Sequence, residues 1–178
     1  MSWALGLLLG VLLLWGLGAY SRLMRLRSAI ASAWAQLEAP LQELSRQGLA
    51  LAEAGPRWLP AESSAFEALR QHSTDLGAAV QAAGSRPHAA DPMAQLAVTH
   101  ALHAAALQRA RALLEHHAGN DEDAGWPALL AALKQAGQQR DFGRQLFNQR
   151  VELFNQAIDE LPTRLLCGVF DLHDAGKF

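Results

Sequence analysis

Residues 3–20 read WALGLLLGVLLLWGLGAY, and residues 20–41 continue as YSRLMRLRSAIASAWAQLEAPL. The first stretch holds eighteen residues without a charge, eight of them leucine. As a helix rising about 1.5 Å per residue it would extend about 27 Å, close to the roughly 30 Å hydrocarbon core of a bilayer. Each Leu or Val favours insertion at mid-membrane by roughly 0.3–0.6 kcal/mol. Only Met1 and Ser2 precede the run, so the basic leader of a secretory signal is missing. The reading is a retained transmembrane anchor over residues 1–20.

Arg22, Arg25 and Arg27 follow at once, and no basic residue precedes the run. Positive charge collects on the cytoplasmic side of a span, which places the N-terminus outside and residues 21–178 in the cytoplasm. Trp3 and Tyr20 stand where interfacial aromatics are expected, with the three arginines beside Tyr20 at the headgroups. Gly6 and Gly10 form a small-xxx-small pair through which a second copy could pack.

All fifteen basic and seventeen acidic residues lie beyond the run, giving a net charge of −2. A nucleic-acid-binding domain would be basic, so no nucleic-acid partner is expected. Cys167 is the single cysteine, which rules out an internal disulfide and a thiolate zinc site. Ala, Leu, Gln, Glu and Arg dominate, and residues that favour strands are scarce. The fold class is therefore all-α: an N-terminal transmembrane helix continuing into an antiparallel four-helix bundle with long helices.

The stripe Leu23, Leu26, Ile30, Ala33, Leu37, Leu41, Leu44 and Leu51 steps by threes and fours, the pattern of a helix packed on helices. Pro40 lies inside it and predicts a kink; Gly55-Pro56 predicts the end. A second helix is predicted from Pro60 to Gly84, carrying Phe66, Leu69, Leu76 and Val80. Asp91-Pro92 is a favourable start for a third, reaching about Ala118. Residues 119–123 read as an acidic loop. A fourth helix is predicted from Pro127 to Glu160, with Gly137 and Gly143 loosening its first half. It contains the seven-residue echo FNQRVEL–FNQAIDE over residues 147–160. Phe147, Val151, Phe154, Ile158 and Leu161 form one apolar stripe. Pro162 ends the helix, and the apolar tail with Leu165, Leu166, Val169, Phe170 and Phe178 is expected to dock on the bundle.

Two stretches together resemble the LemA family of membrane-anchored bacterial proteins. In residues 20–41 the matching positions are Tyr20, Leu26, Arg27, Ala33, Trp34, Glu38 and Leu41. In residues 144–178 they are Phe147, Asn148, Val151, Phe154, Asn155, Ile158, Pro162, Phe170 and Phe178. Gln42, Glu43 and Leu44 stand where the family usually carries a basic cluster, and Trp126-Pro127 is the nearest match to its tyrosine-proline turn. The chain thus resembles a divergent member. The resemblance implies a single N-terminal span, an antiparallel helical bundle at residues 21–178, and no established enzymatic activity. It implies a place in the bacterial plasma membrane, with Leu26, Ala33, Trp34, Leu37 and Leu41 and the second motif serving packing.

Asn148 and Asn155 lie seven residues apart on one side of the last helix. Either they fix helix register by hydrogen bonding across the bundle, or they are solvated edge residues. His100 and His103 are one turn apart, with His116 and His117 further along. They could begin a metal site, but no HExxH or ExxH pattern supplies further ligands, and a titrating, partly exposed face is the plainer reading. No GxSxG, phosphate-binding glycine loop or convincingly placed Cys–His pair occurs, so no catalytic, cofactor or metal residue is assigned. The functional expectation is a non-enzymatic protein-interaction scaffold at the membrane. Its partners would be the lipid bilayer, an unidentified membrane or cytoplasmic protein, or a second copy. The alternative is a sensor or regulatory subunit of an envelope protease or stress system.

Overall fold

The computed structural model describes residues 2–117, 125–160 and 174–178, without side-chain detail at positions 2, 4, 5, 8, 9, 12 and 117. Helix α1 spans Ser2–Trp58, and a short 3-10 turn at Pro60–Glu62 leads into α2, Ser63–Ser85. Helix α3 covers Ala90–His117 and α4 covers Trp126–Asp159. No strand occurs among the described residues. Short connections reverse the chain each time. Arg27 reaches His88 at the far end of α2, and Arg22 reaches Glu160 just beyond α4, so both neighbours run antiparallel to α1.

The stripe on α1 is the centre of the core. Leu23, Ile30, Leu37, Leu41 and Leu51 are all essentially inaccessible, and Trp34 and Leu44 are buried beside them. Phe66, Leu69, Leu76 and Val80 close the core from α2, and Phe147, Val151 and Phe154 from α4. The Trp34 and Phe147 rings meet edge to face at 6.0 Å, a favoured aromatic geometry. Leu26 packs half-buried at the edge of this cluster. Burying one such Leu or Phe contributes about 1.5–3 kcal/mol, which makes this cluster the main source of stability.

The transmembrane anchor expected over residues 1–20 is not supported: among the described residues, no helix is long and apolar enough to cross a membrane. Gly6, Gly10, Gly16 and Gly18, with the amphipathic Trp3, Trp15 and Tyr20, interrupt the described apolar side chains of that stretch. The single-pass placement in a bacterial plasma membrane, with its orientation, loses its support in the same way. Two of the three arginines that set that orientation have protein partners. Arg22 pairs with Glu160 at 2.6 Å. Arg27 donates to His88 Nε2 at 2.8 Å, which fixes the His88 proton on Nδ1. Arg25 is exposed.

Helix α1 differs from expectation in length too. It runs unbroken through Pro40 and past Gly55-Pro56 to Trp58. Pro40 has no N–H for the carbonyl of Gln36, four residues back. Gly143 of α4 sits against that same place, and a Cβ there would lie 2.9 Å from Gln36 O and 3.0 Å from Leu37 Cα. The two irregularities are complementary. Gly143 does not loosen α4; it brings α4 onto the bare backbone of α1. The other helix limits shift by a few residues: Asp91 lies inside the first turn of α3, and Trp126 opens α4 after Gly125 in a left-handed conformation. The 119–123 loop, Cys167, Pro162, Phe170 and the rest of the tail before Asp174 lie outside the described residues.

Candidate functional site

Helices α1, α2 and α4 make close mutual contacts through α1, and α3 leans on α2. The seam between α3 and α4 is built differently along its two halves. Over its first half it is filled by the segment 174–178. Over its second half it opens into a cavity.

The filled half is organised by the asparagine echo. Asn148 Nδ2 donates to Phe178 O at 2.6 Å, and Phe178 N donates back to Asn148 Oδ1 at 2.9 Å. Asn155 repeats the pattern with Ala175, at 3.1 Å and 2.8 Å. Seven helical residues rise about 10.5 Å. Three extended residues cover about 10 Å. The two amide pairs therefore match in length, which explains why the echo has a period of seven. On the other side Gly176 lies against α3, where a Cβ would stand 2.6 Å from Ala90 Cα. Lys177 forms an ion pair with Glu152, which holds the Glu152 carboxyl below its ordinary range. Ala175 is buried, and the Phe178 ring meets His100 edge to face at 5.5 Å. The asparagines thus neither cross-link helices nor sit solvated; they hold an extended backbone. Docking of the tail is seen here for residues 174–178.

Replacing Asn155 by Ala removes both bonds at Ala175. Each net hydrogen bond contributes about 0.5–1.5 kcal/mol, so a loss of about 1–2 kcal/mol is expected in urea unfolding. Amide exchange at Ala175 should accelerate in the variant while that of the α1 core stays slow.

The open half is a cavity of about 360 Å³ with Leu44 of α1 behind it. Its walls carry His100, His103, Leu107 and Arg111 from α3 and Leu130, Leu133, Lys134 and Arg140 from α4. His103 is 1% exposed, so the partly exposed face expected for the histidines does not include it, whereas His100 is half-buried and His116 exposed. Burial, reinforced by the charges of His72 and Arg140, pushes the His103 ring down to about 4. His100 is driven down to about 4 by burial and then by Arg140 and His103. Both rings are neutral near pH 7. His103 Nε2 points toward α1, beside the Cα of Gly48 and near Ser73 Oγ, and neither polar atom has a hydrogen-bond partner. Ser45 on α1 donates to Ser73 O at 2.7 Å, completing a small buried polar layer across three helices. No group of three His, Cys, Asp or Glu residues able to hold a metal occurs among the described residues.

The remaining predicted residues fall into two sets. Ala33, Trp34, Leu37, Leu41, Phe147, Val151, Phe154 and Ile158 lie in the core, far from solvent. Trp3 is 77% exposed, and Tyr20 is more than a third exposed on the same helix. Sequence reading missed Arg140, Ser73 and Gly48. A glycine with small and polar residues at helical spacing, such as Ser45 and Gly48, was the only available signal.

No family model, no curated protein and no solved structure matches this chain.

Proposed function

We propose that this chain is a non-enzymatic helical-bundle interaction module of the LemA type, and that it works as a scaffold completed by a second copy of itself. One observation carries the reading. Residues 2–21 of α1 continue about 30 Å past the bundle, and none of their described side chains is buried. Leu7, Val11, Leu13, Leu14 and Leu17 are each more than half exposed. A contiguous apolar surface of this extent marks a place of association.

A second copy fits this helix because it offers the same notch. Gly6 and Gly10 lie one turn apart, and a Cβ at either would meet nothing within 4 Å. The distance between packed helices is set by the side chains at their contact, so two such notches permit close approach. Parallel pairing about a two-fold axis puts identical faces together and closes the assembly at two. The bundles then stand at fixed positions at one end of a paired stem. Of the motif residues, Ala33, Trp34, Leu41, Phe147, Val151, Phe154 and Ile158 lie in the α1–α4 core and Asn148 and Asn155 form the clamp, which supports the LemA-type reading.

Sedimentation equilibrium of the full chain tests this. A dimer that dissociates on dilution is expected, with Gly6→Leu and Gly10→Leu together weakening it at least tenfold. A monomer throughout the micromolar range, or unchanged association in the double variant, would overturn the proposal.

A further inference from the structure

Arg140 is the most unusual charge in the bundle. Its side chain is only 18% exposed, and among the described residues its one ionic contact is a 3.3 Å approach to its own neighbour Asp141, which is itself half exposed. Its Nε is buried and has no hydrogen-bond partner among the described residues. A guanidinium withdrawn from water is costly unless a counter-charge satisfies its fork of donors. Asp141 is adjacent in sequence, half exposed, and reaches only Nη1, so it leaves the rest of the fork without a counter-charge. Arg140 lies instead on the wall of the α3–α4 cavity, with the neutral rings of His100 and His103 close enough to feel its charge. Lys134 lines the same cavity, and Arg144 acts on His100 and Arg140 from the next turn of α4. The nearby acids are Asp141 and Glu115, and Glu115 is bound to Arg111 at 2.7 Å. The cavity therefore carries uncompensated positive charge on one wall. Leu44, Leu107, Leu130 and Leu133 supply an aliphatic part of its lining, with Gln108 and the Arg111–Glu115 pair at its edge.

From this pairing we infer that the α3–α4 cavity binds a small amphipathic carboxylate, its head on Arg140 and its aliphatic tail against Leu44, Leu107, Leu130 and Leu133. A planar guanidinium matches a carboxylate through two parallel hydrogen bonds, which a spherical cation such as ammonium cannot do. About 360 Å³ falls within the usual range of small-molecule pockets and is far too small for a folded partner. The phenyl ring of Phe178 meets His100, which lines the cavity, edge to face, so the clamped segment braces one of its walls. The site lies within the bundle, away from the leading part of α1, and stands whether or not the chain self-associates.

The experiment is a titration of the full chain with [1-13C]decanoate below its micellar concentration, followed by the carboxyl carbon resonance, with decanol as a competitor. One saturable site per chain is expected, with a shifted carboxyl resonance and contacts from the alkyl protons to the methyl groups of Leu107 and Leu130. Arg140→Met should weaken that site at least tenfold, and decanol should compete at least tenfold less well than unlabelled decanoate. The wild-type comparison of decanoate with decanol does not depend on how the variant folds. Unsaturable uptake only, equal binding by Arg140→Met with an unchanged fold, or equal competition by decanol would each overturn the inference.

Discussion

Placing alanine at Gly143 is expected to destabilise the bundle by about 2 kcal/mol, and valine by about 3 kcal/mol or more, because added bulk in a filled contact costs about 1–3 kcal/mol. The sign is what makes the result diagnostic. In an exposed helix interior, Gly→Ala stabilises by about 1 kcal/mol. At Gly143 the new Cβ would meet backbone, 2.9 Å from Gln36 O and 3.0 Å from Leu37 Cα, and backbone cannot rotate aside as a side chain can. Helix α4 would have to lift off α1 along the contact that also carries Trp34 against Phe147. Gly137, six residues earlier on the same helix, is the control. A Cβ there meets nothing within 4 Å, so Gly137→Ala should stabilise by roughly 0.5–1 kcal/mol. Urea unfolding of the pair reads both. Equal stabilisation by the two alanines would mean that α4 does not touch the α1 backbone at Gln36.

Acid is expected to weaken the fold well before its carboxylates titrate. An unfolded histidine takes up a proton near pH 6.5, whereas His103 in the bundle does so only near pH 4. Its contribution is therefore complete above about pH 6.5 and is lost progressively as pH falls toward 4. One pKa unit corresponds to about 1.4 kcal/mol, which makes the His103 effect on the order of 2–3 kcal/mol across that window. His100 acts in the same direction, and so does His88, whose ring is lowered by burial and by Arg27 and Arg86. The carboxylates of Glu43, Glu67 and Glu152 are also lowered, from 4.5, so their share is lost only below that pH. The groups facing His103 are His72 on α2 and Arg140 on α4, and both act to lower its ring. Unfolding free energies at pH 7.5 and 4.5 should differ by several kcal/mol in the wild type. In His103→Gln the difference should shrink by about 2 kcal/mol; an undiminished difference would show that the ring is not held neutral by its surroundings.

The helical pattern was readable because the core of α1 depends on spacing alone. Leu23, Ile30, Leu37, Leu41, Leu44 and Leu51 recur with the period of a helix, and the fold buries all of them. What could not be read were features that depend on two distant segments meeting. Pro40 and Gly143 each look like a local defect, a kink and a weak point. Only when α4 lies on α1 does one accommodate the other. The asparagine echo was visible, but its partner was not, since residues 174–178 carry no periodicity and reach α4 from 20 to 30 residues away. The histidine spacing was visible too. Its burial follows from Gly48, which lets Ser73 and His103 close on α1. The leading apolar run was read by composition, which cannot tell a membrane from another apolar partner.

The asparagine clamp has a further consequence. A primary amide is a peptide group on a stalk, and two of them seven residues apart give one face of a helix the donor–acceptor rhythm of a strand edge. Helix α4 therefore grips main chain in the manner of a sheet. What it recognises at residues 175 and 178 is an N–H and a carbonyl, whatever side chain they bear. Sequence in this segment is thus constrained by side chain only through secondary contacts, such as the exposed ion pair of Lys177 with Glu152. It is closed to proline at 175 and 178, and to anything larger than hydrogen where Gly176 abuts Ala90.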